Sequence, residues 1–323
     1  MRKNFFSLML AGTLAVLLAP STQAAAPQTV GRIVVAKVKG TVTGLNKTDN
    51  SSRTLHDSDA ISQGFVVSTA EKSSAVLLFD NGSALNLGPN TTLSIDEFLI
   101  DPFDPKNAVA DAKEEPSTSV TTLSLARGEV VGSVKHLHRD NGSSYTVNTP
   151  VGAAGIRGTN YAAILGTGDN GGYSHAPDAP APGTGSNPGG ANQPAGSPPP
   201  GAGAVGGGVN QTPGPQILDA SVVIEVADGR VAFTTTGGTP VEIGSGLFLR
   251  VYFKMSVSPD GRRTVVPGSM QIEGIAPMTA AQQAAIAAMI QQIVESQPNL
   301  VTPGSAPESV PPAVQTTPGD GHN

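Results

Sequence analysis

Across residues 31–165 short runs of β-branched and other apolar residues alternate with turn residues, without the sustained periodicity of a helix. The runs at 32–38, 74–79, 84–87, 91–95, 120–125, 129–134 and 144–147 predict strands. Asp80-Asn81-Gly82, Arg127-Gly128 and Asn141-Gly142 mark their corners. Strands this short must stack on a second layer, in a sandwich, roll or solenoid. Three segments, FDNGSAL at 79–85, LARGEVV at 125–131 and VADGRVA at 226–232, share a turn ending in glycine between apolar ends. That weak repeat favours an all-β fold of the β-solenoid or β-roll-like type over an ordinary sandwich.

The pattern lapses over 166–216, where Gly, Pro, Ala, Ser and Asn dominate, and a long disordered insertion is predicted there. Strand signals return at 221–226, 230–235, 240–243 and 247–256, and after a Pro259-Asp260-Gly261 turn at 264–266. Residues 217–267 are therefore expected to continue the β unit of 25–165, since about fifty residues of short strands make a small domain. One helix is predicted within 268–297. Thr279 caps it with Gln282 in the capping-box position, and Ile286, Met289, Ile290 and Ile293 fall on one stripe. That stripe predicts docking on the β core, with a partner-binding face as the alternative. The tail at 298–323 is rich in proline and polar residues and is expected to be disordered.

Residues 1–24 have the three parts of a secretory signal: basic Arg2 and Lys3, an apolar segment over 5–18, and Thr22-Gln23-Ala24 as the cleavage site. Removing Arg2 and Lys3 takes the basic count from 19 to 17 against 25 acidic residues, a formal charge of −8. Such a chain is a poor ligand for nucleic acid. With no cysteine, disulfides, thiolate catalysis and cysteine-held metals are excluded. No later apolar run is long enough to span a bilayer. The expected location is the periplasm or the bacterial cell surface, without a stable membrane anchor. Six Asn-x-Ser/Thr sequons occur, but Asn81 and Asn141 each precede glycine, so turn formation is the simpler reading there.

The most specific stretch is TPVGAAGIRGTNY at 149–161, with Gly152, Gly155 and Gly158 punctuating a strand-like run around Arg157. It follows LHDSDAISQGFVVSTAEKSSAVLLFDNGSALNLGPNTTLSI at 55–95 and LSLARGEVVGSV at 123–134. Together these blocks resemble the FecR domain, a bacterial envelope module, over residues 34–165. Asn81, Gly82 and Ser83 stand at the family's turn, and Thr149, Pro150, Gly152, Gly155, Arg157, Gly158 and Thr159 at its later run. The resemblance implies protein–protein contacts in the envelope. FecR proteins of the iron-uptake type relay a signal from an outer-membrane receptor to a cytoplasmic anti-sigma segment, whereas this chain begins with a cleavable signal and shows no membrane helix. The chemistry of the motif residues suggests structural roles: Pro150 fixes a bend, the glycines admit close backbone approach, and Arg157 holds a corner by its five donors.

No catalytic signature accompanies the motif. The glycine spacing is not G-x-G-x-x-G, no Lys-Ser/Thr pair follows, and neither G-x-S-x-G nor H-E-x-x-H occurs. His136 and His138 would share one strand face, flanked by Lys135 and Arg139, which repel a cation. The acidic residues Asp96, Glu97, Asp101, Asp104, Asp111, Glu114 and Glu115 read as a solvated insertion, and 4% aromatics with no tryptophan makes a sugar cleft poor. No catalytic residue, cofactor or metal is expected. The reading is a non-enzymatic envelope module that binds an unidentified protein, with a surface structural or adhesive protein as one alternative and a polysaccharide-binding or -cleaving protein as another.

Overall fold

The computed structural model of the chain describes residues 28–104, 113–167 and 214–297. The signal segment at 1–24, most of the insertion at 166–216, the tail from Pro298 and Asp111 lie outside the described residues. In chain order the first strands are β1 (Thr29–Val30), β2 (Ile33–Lys39), β3 (Val42–Asn46), β4 (Ser51–Thr54), β5 (Ala60–Ile61), β6 (Phe65–Thr69), β7 (Ser74–Phe79), β8 (Ala84–Leu87) and β9 (Thr92–Ile100). There follow β10 (Ser119–Ser133), β11 (Ser144–Thr149), β12 (Gly152–Ile156), β13 (Asn160–Thr167), β14 (Gln216–Asp228), β15 (Arg230–Thr235) and β16 (Pro240–Gly244). The chain ends in β17 (Leu247–Val257), β18 (Arg263–Val265), β19 (Gln271–Pro277) and the helix α1 (Ala280–Ser296).

The pairings form two open sheets joined through β10. Sheet A runs β4-β3-β6-β9-β10-β11-β12-β15-β16, with β1 beside the far end of β9. Sheet B runs β5-β2-β7-β8-β10-β13-β14-β17, closed off by β18 and β19 on the outer side of β17. The first part of β10 lies in sheet A beside β9 and β11, and from Gly128 on it lies in sheet B between β8 and β13. The chain is thus mostly β with one helix near its C-terminus, as the hydrophobic pattern predicts. The stack is built from antiparallel pairs, save the parallel β10–β11 ladder, where a solenoid would repeat parallel rungs.

Alternation explains how the sheets meet. Leu93 and Ile95 of β9, Leu123 and Leu125 of β10 and Val147 of β11 point from sheet A into one core with Leu77, Leu85, Val130 and Val222 of sheet B. The other face of sheet A is polar, so its strands alternate. Sheet B is covered on both faces, so its strands read as nearly continuous buried runs, as in SAVLLF of β7 and YAAIL of β13.

Helix α1 supplies the second cover. Ile286 and Met289 pack on Val131 and Ala162, and Ile293 on Ala36, Val76, Leu78 and Ala84. Polar contacts set its register: Asn86 Nδ2 donates to the Met289 carbonyl at 3.3 Å and to Gln292 Oε1 at 3.0 Å, and Gln282 Nε2 donates to Glu225 Oε1 at 2.6 Å. Gln282 also completes the predicted capping box, accepting from the Thr279 backbone N–H at 2.8 Å. The apolar stripe is docked on the β core, which was the expected fate of this helix.

Candidate protein-interaction face

The repeat glycines Gly82, Gly128 and Gly229 all have positive φ, at 80°, 89° and 89°. They mark turns or crossings between layers: Gly82 between β7 and β8, Gly128 inside β10, Gly229 between β14 and β15. Asn81 is fully buried, with Oδ1 accepting from the Ser83 backbone N–H and Nδ2 donating to Ser119 Oγ, both at 3.0 Å. Ser119 Oγ donates in turn to Glu115 at 2.6 Å, and Glu115 accepts from the His138 backbone N–H, also at 2.6 Å. The turn at Asn81-Gly82-Ser83 is therefore wired to the start of β10 through Ser119, and Gly82 faces the side chain of Lys135 just past the end of that strand.

The second motif reaches the same end of the molecule. Gly158 lies against His136, and Thr159 exchanges both backbone hydrogen bonds with Val134 at 3.0 Å. Thr159 Oγ1 donates to the Arg230 carbonyl at 2.9 Å, tying the β12–β13 corner to β15. Gly152 admits close approach, since a Cβ there would stand 2.4 Å from the Thr234 carbonyl oxygen. Gly155 sits opposite Thr146 on β11. Arg157 is half exposed and reaches Glu242 of β16 at 3.5 Å.

The structure changes two expectations. Glu115 belongs to a buried network rather than a solvated loop, and Asp96 and Glu97 are part of β9. His138 does not pair with His136; it lies 3.7 Å from Glu114 and 3.8 Å from Glu115. Among the described residues no group of His, Asp and Glu is arranged to hold a metal ion.

Among the described residues no helix lies over the outer face of sheet A. Register places Val66, Ser94, Ser124, Asn148, Ala153 and Thr234 side by side in one row from β6 to β15. The next row holds Thr122, Thr146, Gly155, Ala232 and Glu242. Small and hydroxyl-bearing side chains dominate both rows. The face dips into a hollow of about 370 Å³ lined by Val66, Thr92, Ser94, Ser124, Ala126 and Asn148, closed at one side by Thr149 and Pro150 of the family motif.

Asp96 lies beside the hollow, bonded to two of its lining hydroxyls. It accepts from Ser94 Oγ at 2.6 Å, Ser124 Oγ at 2.5 Å and Lys47 Nζ at 3.0 Å. Partial burial pushes its carboxyl upward, but the bonds from Ser124, Ser94 and Lys47 outweigh that and hold it below the ordinary carboxylate range. The sequence signal for this face was present in the alternation of Thr92, Ser94 and Asp96 against Leu93 and Ile95. Which strands stand beside them was not readable from that alternation.

Residues 65–172 match the family model described as FecR protein. No curated relative matches the chain. Two crystal structures of a candidate anti-sigma factor from Parabacteroides distasonis align with 62% of this chain at 8% identity and a TM-score of 0.29. The chain spans 58% of the length of each.

Proposed function

We propose that this chain, whose residues 65–172 match the FecR family model, is a non-catalytic module of the bacterial envelope that binds another envelope protein and takes part in signalling. The motif segments brace one end of the sandwich, so family identity resides in the scaffold. The contact surface is the outer face of sheet A. The single observation that carries this choice is the asymmetry of the two sheets: α1 packs over the outer face of sheet B, whereas among the described residues no helix covers that of sheet A. A broad, rigid surface of small polar residues suits a protein partner better than a small substrate, which needs an enclosing cleft. Export places the module in the periplasm or at the cell surface. Among the described residues no helix is long and apolar enough to cross a membrane.

Site-specific photo-cross-linking in cells tests the assignment. A photoreactive residue at Thr146, in the centre of sheet A, is expected to trap one envelope protein, while the same residue at Glu295 on the exposed side of α1 is not. Absence of an envelope adduct from Thr146, or equal trapping from both positions, overturns the proposal.

A further inference from the structure

Three hydroxyl protons around the sheet A hollow are already committed, while the Thr92 hydroxyl accepts from Ser68 Oγ at 3.4 Å and keeps its own. Ionised Asp96 can only accept, so Ser94 Oγ and Ser124 Oγ must both donate to it, at 2.6 and 2.5 Å. Thr149 Oγ1 donates to the Gly152 carbonyl at 2.8 Å, which likewise can only accept. Three of the hydroxyls lining the hollow therefore have lone pairs left to offer and no protons. A guest with several donors can be bound by these three oxygens together with the Asn148 side-chain carbonyl, whereas the hollow's own side-chain donors are confined to Asn148 Nδ2 and the Thr92 hydroxyl.

Charge points the same way. Asp96 accepts from two of the lining hydroxyls and Glu97 follows it in the chain, and the whole chain carries a formal charge of −6. The cation now on Asp96 is Lys47, in a pair whose side chains are 47% and 32% exposed. Exposed pairs of this kind are weak, so an incoming cation can share or displace Lys47 at small cost. Val66, Ala126 and Pro150 give the hollow apolar wall for a methylene stem.

Resting on the reading of sheet A as the partner face, we infer that this hollow receives an arginine side chain from an extended segment of the partner. The guanidinium has five donors and no acceptor, and its planar fork can bridge the oxygens of Ser94, Ser124 and Asp96. Pro150 and Thr149 give the FecR motif a second task as one wall of this receptor.

The test uses the full chain and a fluorescent Gly-Gly-Arg-Gly-Gly peptide, with its citrulline counterpart as a neutral isostere, followed by fluorescence polarisation. The arginine peptide is expected to bind at least about tenfold more tightly than the citrulline peptide. Ser124→Arg fills the hollow and should abolish binding. Asp96→Asn turns the acceptor set around and should weaken binding by about tenfold. Thermal unfolding of both variants checks that they fold. Equal affinity for the two peptides, or undiminished binding by folded Ser124→Arg, overturns the inference. If folded Ser124→Arg still yields the envelope adduct from Thr146 while no variant binds the arginine peptide, the hollow is wrong and the sheet A reading stands. Loss of every adduct from sheet A in the unmodified chain removes the reading beneath it.

Discussion

Gly128 is where β10 leaves one sheet for the other, and its φ of 89° lies in the left-handed region that side chains avoid. A Cβ at this position would also stand 2.4 Å from the Thr91 Cα, beside a threonine whose hydroxyl bonds the Glu129 backbone in both directions, at 3.1 and 2.9 Å. Gly142 has a similar φ of 99° but open space where its Cβ would go. Gly142→Ala should therefore cost only the backbone term, about 1 kcal/mol. Gly128→Ala should cost about 3 kcal/mol or more, because overpacking adds to it. Urea denaturation of the two variants measures the difference, and equal losses would show that the crossing is not tightly packed. Arg157→Ala removes a half-exposed ion pair and is expected to lower stability by less than about 1 kcal/mol; a loss above about 2 kcal/mol would make Arg157 a corner clamp. Asp96 has its own pH signature. Its folded pKa is lowered, so its stabilising effect is fully present above the unfolded value and is lost as pH falls through the folded one. The stability gap between wild type and Asp96→Asn should thus hold steady at neutral pH and shrink below about pH 4. A gap that widens on acidification would reverse the sign.

Helix α1 shows how one residue can serve two elements. Gln282 closes the capping box through Oε1 and docks the helix on Glu225 through Nε2. Gln282→Ala should cost about 1–3 kcal/mol, the penalty of breaking a buried hydrogen bond, while exposed Gln283→Ala should stay within about 0.5 kcal/mol. Gln282→Glu keeps the box but sets a second carboxyl against Glu225, so it should be at least as damaging as alanine; stability equal to wild type would show that the Glu225 contact contributes nothing. This helix was legible because its stripe, cap and stop agree at every level. The strand runs were legible too, and so was the shared turn of the repeat, since a positive φ leaves glycine as its trace. The union of the runs at 120–125 and 129–134 into β10 was not. Arg127-Gly128 reads as a corner locally, and only the pairing of residues on both sides of it with different neighbours makes it a crossing within one strand. The hollow was hidden for a related reason: Ser94 and Ser124 are thirty positions apart, and register is set by long-range pairing rather than by local pattern. One clue went further than strand or turn. Continuous runs such as SAVLLF and alternating runs such as TTLSL separate the sheet covered on both faces from the one left open.

At the scale of the molecule, the family match ends at residue 172, yet the sheets do not. Strand β12 pairs with β15 and β13 with β14, so each sheet is extended by residues beyond the insertion, and β17 then pairs along eleven residues of β14. Phe233, Val222 and Ile224 from that later part lie in the same core as Leu93 and Leu123. A chain cut after residue 172 would leave β12 and β13 as open edges over a half-filled core, and long unpaired edges favour aggregation. We therefore expect residues 25–172 alone to show no cooperative unfolding transition. The full chain should unfold in one step, with far-UV circular dichroism and tyrosine fluorescence coincident. Tyr145 of sheet A and Tyr161 of sheet B are suited to the second probe, being fully buried with ring centroids 6.4 Å apart across the core. Since Thr167 already faces Ala220 in the β13–β14 ladder, replacing 168–213 by a short Gly/Ser link should preserve that single transition. Two separate transitions in the full chain, or a cooperative transition from 25–172 alone, would divide the protein into two units and confine the module to the span of the family match.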